Sequence, residues 1–219
     1  MNSETEALRL IHESLSSNGD TTVLSNCYRK WAEHYDADLQ SEKYAAPELM
    51  VEKLNQYLCQ SNDFADGLGS LHIVDSGCGT GLVGAALAQK GFENIDGFDL
   101  SDEMAVKAQQ TGDYKNVSGG LDLASAKEQL PAQSYDIAIS CGVFTPGHVE
   151  PIQVKNILPL VKKGGLVMIS ARVGYDNDYG FGRCMNELEL QGALKILTCM
   201  SNYPYTSDEN ANYYLMQKQ

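Results

Sequence analysis

The chain has 219 residues and a formal net charge of −13, with 16 Lys and Arg set against 29 Asp and Glu and no basic cluster to offset them. That balance argues against a nucleic-acid partner, while the length suits one domain with a full core. No apolar run approaches a bilayer span, the acidic start Met1 to Glu6 is no signal peptide, and six cysteines without a C-x-x-C pair predict free thiols and no metal site, so a cytoplasmic protein away from membranes is expected.

In chain order, Glu4 to Ser17 places Leu8, Ile11 and Leu15 on one helical face and ends at Asn18-Gly19. A second helical pattern covers Cys27 to Leu39, and a third starts at Pro47 with Met50, Leu54, Tyr57 and Leu58 inward. The organisation expected is a helical N-terminal lid over residues 1–62 and a core over 63–219, the two forming one compact unit. Beyond a glycine-containing linker, Asp63 to Ser70, strands alternate with helices. Strands are expected at Leu71 to Asp75, Ile95 to Asp99, Val117 to Gly120, Tyr135 to Ser140 and Leu166 to Ala171. Helices are expected at Leu82 to Lys90, Asp102 to Gln110, Ala124 to Gln129 and Pro151 to Val161, the last kinked or shortened by Pro159 and capped by Lys162-Lys-Gly-Gly165. Arg172 to Phe181 reads as a loop, and Leu194 to Cys199 with Tyr213 to Gln217 as an antiparallel edge hairpin. The alternation implies an α/β fold, a mostly parallel sheet with helices on both faces and an antiparallel last strand.

The segment Leu71 to Gly81 carries the chemistry, joining an apolar strand to Asp75 and then to Gly77, Gly79 and Gly81. Glycine lets a main chain approach a ligand closely. Gly79-Thr-Gly-Leu-Val-Gly84 also satisfies the dinucleotide spacing G-x-G-x-x-G, with Asp99 at the ribose-acid offset, so a nicotinamide-dependent oxidoreductase stays open. Asp75 favours another ligand. A carboxylate beside the loop repels a pyrophosphate but suits the ammonium and sulfonium of S-adenosylmethionine, with Asp99 as the acid for the ribose. As a helix cap, Asp75 would need no ligand at all.

Four stretches give a resemblance: Trp31-Ala-Glu-His-Tyr-Asp36, Asp75 to Gly84, Gly97-Phe-Asp-Leu-Ser-Asp-Glu-Met104 and Ser140-Cys-Gly-Val-Phe-Thr-Pro-Gly-His-Val149. With them the chain resembles the class I S-adenosylmethionine-dependent methyltransferases, and within these it is similar to the methyltransferase-like proteins of the Williams-Beuren region. The resemblance implies a Rossmann-like fold with a seven-stranded sheet. It assigns Asp75, Gly77, Cys78, Gly79 and Gly81 to the methionine end of the cofactor, Asp99 to the ribose, and Leu100, Met104, Asp122 and Leu123 to the adenine. Ser140 and Cys141 would face the sulfonium. Met104 and Asp122 also have plain structural readings, as helix packing and helix cap.

Tyr28, Trp31 and Tyr35 share one helical face, either as packing or as aromatic cover for a cationic cofactor, with Tyr44 joining them. Direct displacement on a methyl group leaves S-adenosylhomocysteine and asks little covalent chemistry of the protein. If a base takes part, His148 is the first candidate, with Tyr179 beside it, while Phe144, Arg172 and Tyr175 are candidates to line the substrate pocket. No Asn/Asp-Pro-Pro-aromatic tetrapeptide follows the fourth strand and no Pro-Cys pair occurs, which favours a small-molecule acceptor over a nucleic acid. A cofactor-binding subunit without catalysis is the remaining alternative.

Overall fold

A computed structural model describes residues 9–10, 13–14, 16–61 and 67–219. The expected first helix, Glu4 to Ser17, lies largely outside the described residues.

Ahead of the sheet, the described residues form the helices α1 (Thr21–Trp31), α2 (Tyr35–Ser41) and α3 (Ala46–Gln60). Asp20 caps α1 by accepting from the backbone N–H of Thr22 and Val23. The single helix expected over Cys27 to Leu39 is therefore two. The chain turns at residues 32–34, where the His34 N–H donates to the Trp31 carbonyl, and the Trp31 indole N–H reaches across the break to Asp38 Oδ2 at 2.7 Å.

The sheet follows: β1 (His72–Ser76), α4 (Leu82–Gln89), β2 (Asn94–Phe98), α5 (Asp102–Thr111), β3 (Asn116–Ser118), α6 (Ala126–Gln129) and β4 (Tyr135–Phe144). It closes with α7 (Val154–Ile157), β5 (Val161–Arg172), α8 (Val173–Tyr179), α9 (Phe181–Leu190), β6 (Leu194–Pro204) and β7 (Asn210–Lys218). The seven strands lie in the order β3-β2-β1-β4-β5-β7-β6. β1 to β5 pair in parallel, and β7 runs antiparallel to both β5 and β6. Because side chains alternate, each central strand feeds two cores. Ile73, Ile137, Ile139, Leu166 and Met168 pack beneath α3 and α4 on one face. Val74, Ala138, Val167 and Ile169 pack with Ile157, Phe181 and Met185 on the other. From β3 the chain crosses to β4 on the far side of β1, which opens a cleft at the carboxyl ends of these strands.

Three further expectations need correction. Pro151 to Val161 is not one helix, because Pro159 has no N–H to donate; a single α-turn sits between two 3-10 turns, and β5 begins at Val161. Lys162 to Gly165 is then a bulge rather than a helix cap: Val161 pairs with Tyr135, and the next register, Leu166 with Ile137, leaves the intervening residues looped out. The loop expected over Arg172 to Phe181 is mostly α8, and α9 behind it had no counterpart in the sequence reading. Gly180 in the left-handed region separates the two helices, and Asp176 Oδ1 accepts from the Gly182 N–H.

A close approach between α4 and the segment before β3 sets the frame of the cleft. The Tyr114 ring lies where a side chain at Gly84 would be, and a Cβ at Gly97 would come within 2.9 Å of that ring. An exposed helical Gly→Ala change ordinarily stabilises by about 1 kcal/mol. Gly84→Ala is expected to do the opposite, lowering stability by about 1–3 kcal/mol through overpacking, as a fall in the urea midpoint will show.

Candidate functional site

At the end of β1 the chain enters the glycine loop, and the loop is held by the end of β2. The N–H groups of Gly77 and Cys78 both donate to the Phe98 carbonyl, at 2.9 and 3.0 Å. Asp99 continues this fixation: Oδ2 accepts from the Gly79 N–H and Oδ1 from the Ser101 N–H, each at 2.8 Å. Burial raises the Asp99 pKa, and the N–H groups of Ser101, Gly79 and Leu100 oppose that shift. Gly79 has a φ of 55°, and a Cβ there would meet no atom within 4 Å, so its main chain faces open space.

That space is a cavity of about 180 Å³ whose walls gather residues distant in sequence. Of those singled out from sequence, Tyr28, Tyr35, Gly77, Gly79, Asp99, Leu100, Met104, Asp122, Leu123, Cys141 and His148 line it. Cys78 lines a smaller cavity on the other side of the loop, which shares Tyr35, Gly77, Gly79 and Cys141 and adds Tyr44 and Thr80. Asp122 also accepts from the Ala124 N–H at 3.2 Å, so its capping role and its place on the cavity coexist. Thr80 donates to Asp36 Oδ1 at 2.5 Å, which ties the start of α2 to the glycine loop.

Asp75 lies elsewhere than its motif suggests. Strand alternation turns it away from the cavity, while its neighbour Ser76 lines it. Asp75 is fully buried, with Oδ2 accepting from the Tyr114 hydroxyl at 2.6 Å and Oδ1 without a hydrogen-bond partner among the described residues. The same hydroxyl accepts from the Gly84 N–H at 2.9 Å. Burial pushes the Asp75 carboxyl up to about 7, against the Tyr114 hydrogen bond, with a further upward push from Asp99. The third glycine of the dinucleotide spacing, Gly84, thus makes room for Tyr114.

The aromatic face divides in the same way. Tyr28 and Tyr35 reach the cavity, and Trp31 stands behind them, its ring centroid 4.7 Å from that of Tyr35 and 6.1 Å from that of Tyr28. Tyr44 approaches Cys141 Sγ at 3.1 Å, and Tyr205 packs edge-on against Tyr44 at 5.0 Å. Burial pushes the Cys141 thiol up to about 12, so it stays protonated. His148 accepts or donates on both ring nitrogens, with Nε2 2.7 Å from the Tyr28 hydroxyl and Nδ1 3.0 Å from the Pro146 carbonyl. Burial lowers its pKa, which keeps the imidazole neutral.

Several sequence candidates stand outside the cavity walls. Gly81 begins α4 in the left-handed region and packs on Ala108 and Tyr114. Ser140 donates to the Ser76 carbonyl at 2.9 Å, joining β4 to β1. Phe144 and Tyr175 are core residues around Phe181, and the Tyr175 hydroxyl donates to the Val149 carbonyl. Arg172 pairs with Glu209 and lies over the Tyr205 ring. Tyr179 stacks on the outer face of Tyr175 and is 45 % exposed, because α8 carries it away from the strand ends. Sequence reasoning missed Leu24, Val143, Val149 and Gln153 on the cavity and Tyr205 beside it. No local motif marks Tyr205, which the β6–β7 turn brings back to Tyr44.

Residues 73–165 match the family described as "Methyltransferase domain". The chain is 34 % identical over 152 residues to human methyltransferase-like protein 27, covering 68 % of this chain and 58 % of that protein. It is 31 % identical over 140 residues to the ubiquinone biosynthesis O-methyltransferase of Rickettsia typhi, covering 62 % of this chain and 52 % of that one. The chain therefore spans a little over half the length of these relatives. Among solved structures, magnesium protoporphyrin IX methyltransferase from Synechocystis, determined with bound S-adenosylmethionine, superposes with a TM-score of 0.59 at 18 % identity over 78 % of this chain and 79 % of that one.

The buried Asp75 carboxyl makes stability depend on pH. Its folded pKa lies above its ordinary value, so the folded state holds the proton more tightly than the unfolded state does. The resulting stabilisation is complete below about pH 4 and is lost as pH rises through about 7, a change on the order of a few kcal/mol. Urea unfolding followed from pH 4 to pH 8 is expected to show this decline in the native chain and a flatter profile in Asp75→Asn.

Proposed function

The chain belongs to the class I S-adenosylmethionine-dependent methyltransferases, and on that premise we propose that it transfers a methyl group to a small-molecule acceptor by direct displacement. The observation that carries the reading is the open main chain at Gly79 directly above the Asp99 carboxylate. A carboxylate whose oxygens each hold one N–H retains lone pairs for ribose hydroxyls.

In this reading Gly77 and Gly79 receive the methionine end, Asp99 the ribose, and Leu100, Met104, Asp122 and Leu123 the adenine. The cofactor supplies an activated methyl on a cationic sulfur. The chain's own residues bind and orient. Tyr28 and Tyr35 turn aromatic rings toward a cation, Cys141 on β4 stays a neutral thiol, and the helices before β1 cover the cavity as a lid. Asp75 acts as a positioning residue through Tyr114.

A small acceptor is favoured by the limited size of the cavity and by relatives whose names point to small molecules, ubiquinone biosynthesis and magnesium protoporphyrin IX. The charge of −13 supports the absence of a nucleic-acid partner. No helix among the described residues is long and apolar enough to cross a membrane, and the free cysteines suit a reducing compartment such as the cytoplasm.

Calorimetry is expected to show S-adenosylmethionine and S-adenosylhomocysteine binding to the purified chain, with Asp99→Ala weakening both by about 10- to 100-fold, the value of hydrogen bonds to a charged group. Incubation with methyl-labelled cofactor and a metabolite extract is expected to label a small molecule. An absence of cofactor binding by the native chain, or label appearing only in protein or nucleic acid, would overturn the reading.

A further inference from the structure

His148 and Tyr28, 120 residues apart in sequence, meet at the cavity wall. The Pro146 carbonyl can only accept, so His148 Nδ1, 3.0 Å away, carries the ring proton. In the neutral imidazole Nε2 is then a bare lone pair, and the Tyr28 hydroxyl 2.7 Å from it must be the donor. A phenol that gives its proton to His148 leaves its own oxygen lone pairs available to the cavity that both residues line.

The pair is held in place by the backbone. The Gly19 N–H donates to the Gly147 carbonyl at 2.8 Å and the Ser17 hydroxyl donates to the same oxygen, so the start of α1 is latched to the loop that carries His148. The His148 N–H donates to the Thr145 carbonyl at 3.2 Å. Packing adds an edge-on contact between the two rings, with centroids 5.7 Å apart.

We infer that Tyr28 and His148 form a proton relay that takes the proton of a hydroxyl acceptor as its oxygen is methylated. This rests on the methyltransferase reading above. The acceptor oxygen passes its proton to Tyr28 Oη as the Tyr28 proton passes to His148 Nε2. The same oxygen forms the bond to the methyl carbon, and the electron pair of the broken carbon–sulfur bond stays on sulfur. The positive charge leaves sulfur and ends on the imidazolium, so charge and atoms balance. Tyr28 never needs to ionise, in keeping with the strong upward shift that burial gives it, with Asp99 and Tyr205 adding to that shift and Arg172 opposing it. Arg172, at the end of β5, also disfavours an imidazolium at His148, which promotes release of the proton to solvent after transfer.

Two measurements on the full chain test the relay. Nitrogen NMR of histidine-labelled protein with S-adenosylhomocysteine bound is expected to show His148 neutral at pH 7, protonated on Nδ1 and bare on Nε2. A proton on Nε2 overturns the relay without reference to activity. The second uses catechol as the acceptor probe with labelled S-adenosylmethionine. Tyr28→Phe and His148→Asn are each expected to lower kcat by about 10²- to 10⁴-fold while the binding of S-adenosylhomocysteine stays within about threefold. His148→Asn is expected to recover as pH rises toward the catechol pKa, because the acceptor then loses its proton unaided. Unchanged kcat in either variant, loss without recovery at high pH, or no methylation of catechol by a chain that binds the cofactor overturns the relay. Failure to bind the cofactor overturns the methyltransferase reading beneath it instead.

Discussion

One buried hydroxyl fixes the geometry on which the cleft depends. Tyr114 donates to Asp75 at the end of β1 and accepts from the first turn of α4, so strand end and helix start are held at a set distance with the glycine loop between them. The three glycines of the loop have no side chains to keep its shape. It is held by this bridge below, by the Phe98 carbonyl, and by Asp99 at its tip. Gly84 and Gly97 lack side chains because the Tyr114 ring occupies that volume. A motif that resembles ligand contacts is thus partly an internal packing device.

The bridge also explains why burying Asp75 is tolerable. An ionised carboxylate in an apolar core with one unpaired oxygen is costly, and the protein avoids part of that cost by letting the group hold its proton near neutrality. Asp99, also buried, is likewise pushed up by burial, but the backbone N–H groups of Ser101, Gly79 and Leu100 oppose that shift. The two acids of the motif therefore differ in role. Asp75 supports the frame from behind, and Asp99 places its carboxyl at the cavity wall.

The sequence carried the alternation of strands and helices well, because apolar runs with turns between them state a parallel α/β pattern directly. It carried the cavity less evenly. Asp99 was legible because it follows a strand end at a fixed offset, and the family resemblance added Leu100 and Met104, which line the same cavity. Asp75 was not, since a strand end shows that an acid is present but not which face it takes, and its partner Tyr114 lies 39 residues away. The α9 helix was hidden by Gly180 and Gly182, although Phe181, Met185 and Leu188 keep helical spacing. The bulge after Val161 was misread for a similar reason: lysines followed by glycines mark a helix end and a strand irregularity equally well. Tyr205 had no local signal, because only the pairing of β6 with β7 returns it to the mouth of the site.

The helices before β1 complete the site. Trp31 braces Tyr28 and Tyr35 from behind, Asp38 fixes the indole, and Asp36 reaches Thr80 on the glycine loop. The break at residues 32–34 allows this. A continuous helix would carry Tyr28 and Tyr35 along one straight face, whereas two short helices fold their aromatic rings around the same opening. An enclosure of this kind suits a displacement at a sulfonium. Charge is concentrated on sulfur at the start and dispersed in the transition state, so a wall of rings and neutral groups around the reacting atoms favours the transition state more than water would. The neutral thiol of Cys141 and the neutral imidazole of His148 meet that requirement, while the carboxylate of Asp99 sits with the glycine loop at the wall that holds the cofactor in the proposed reading.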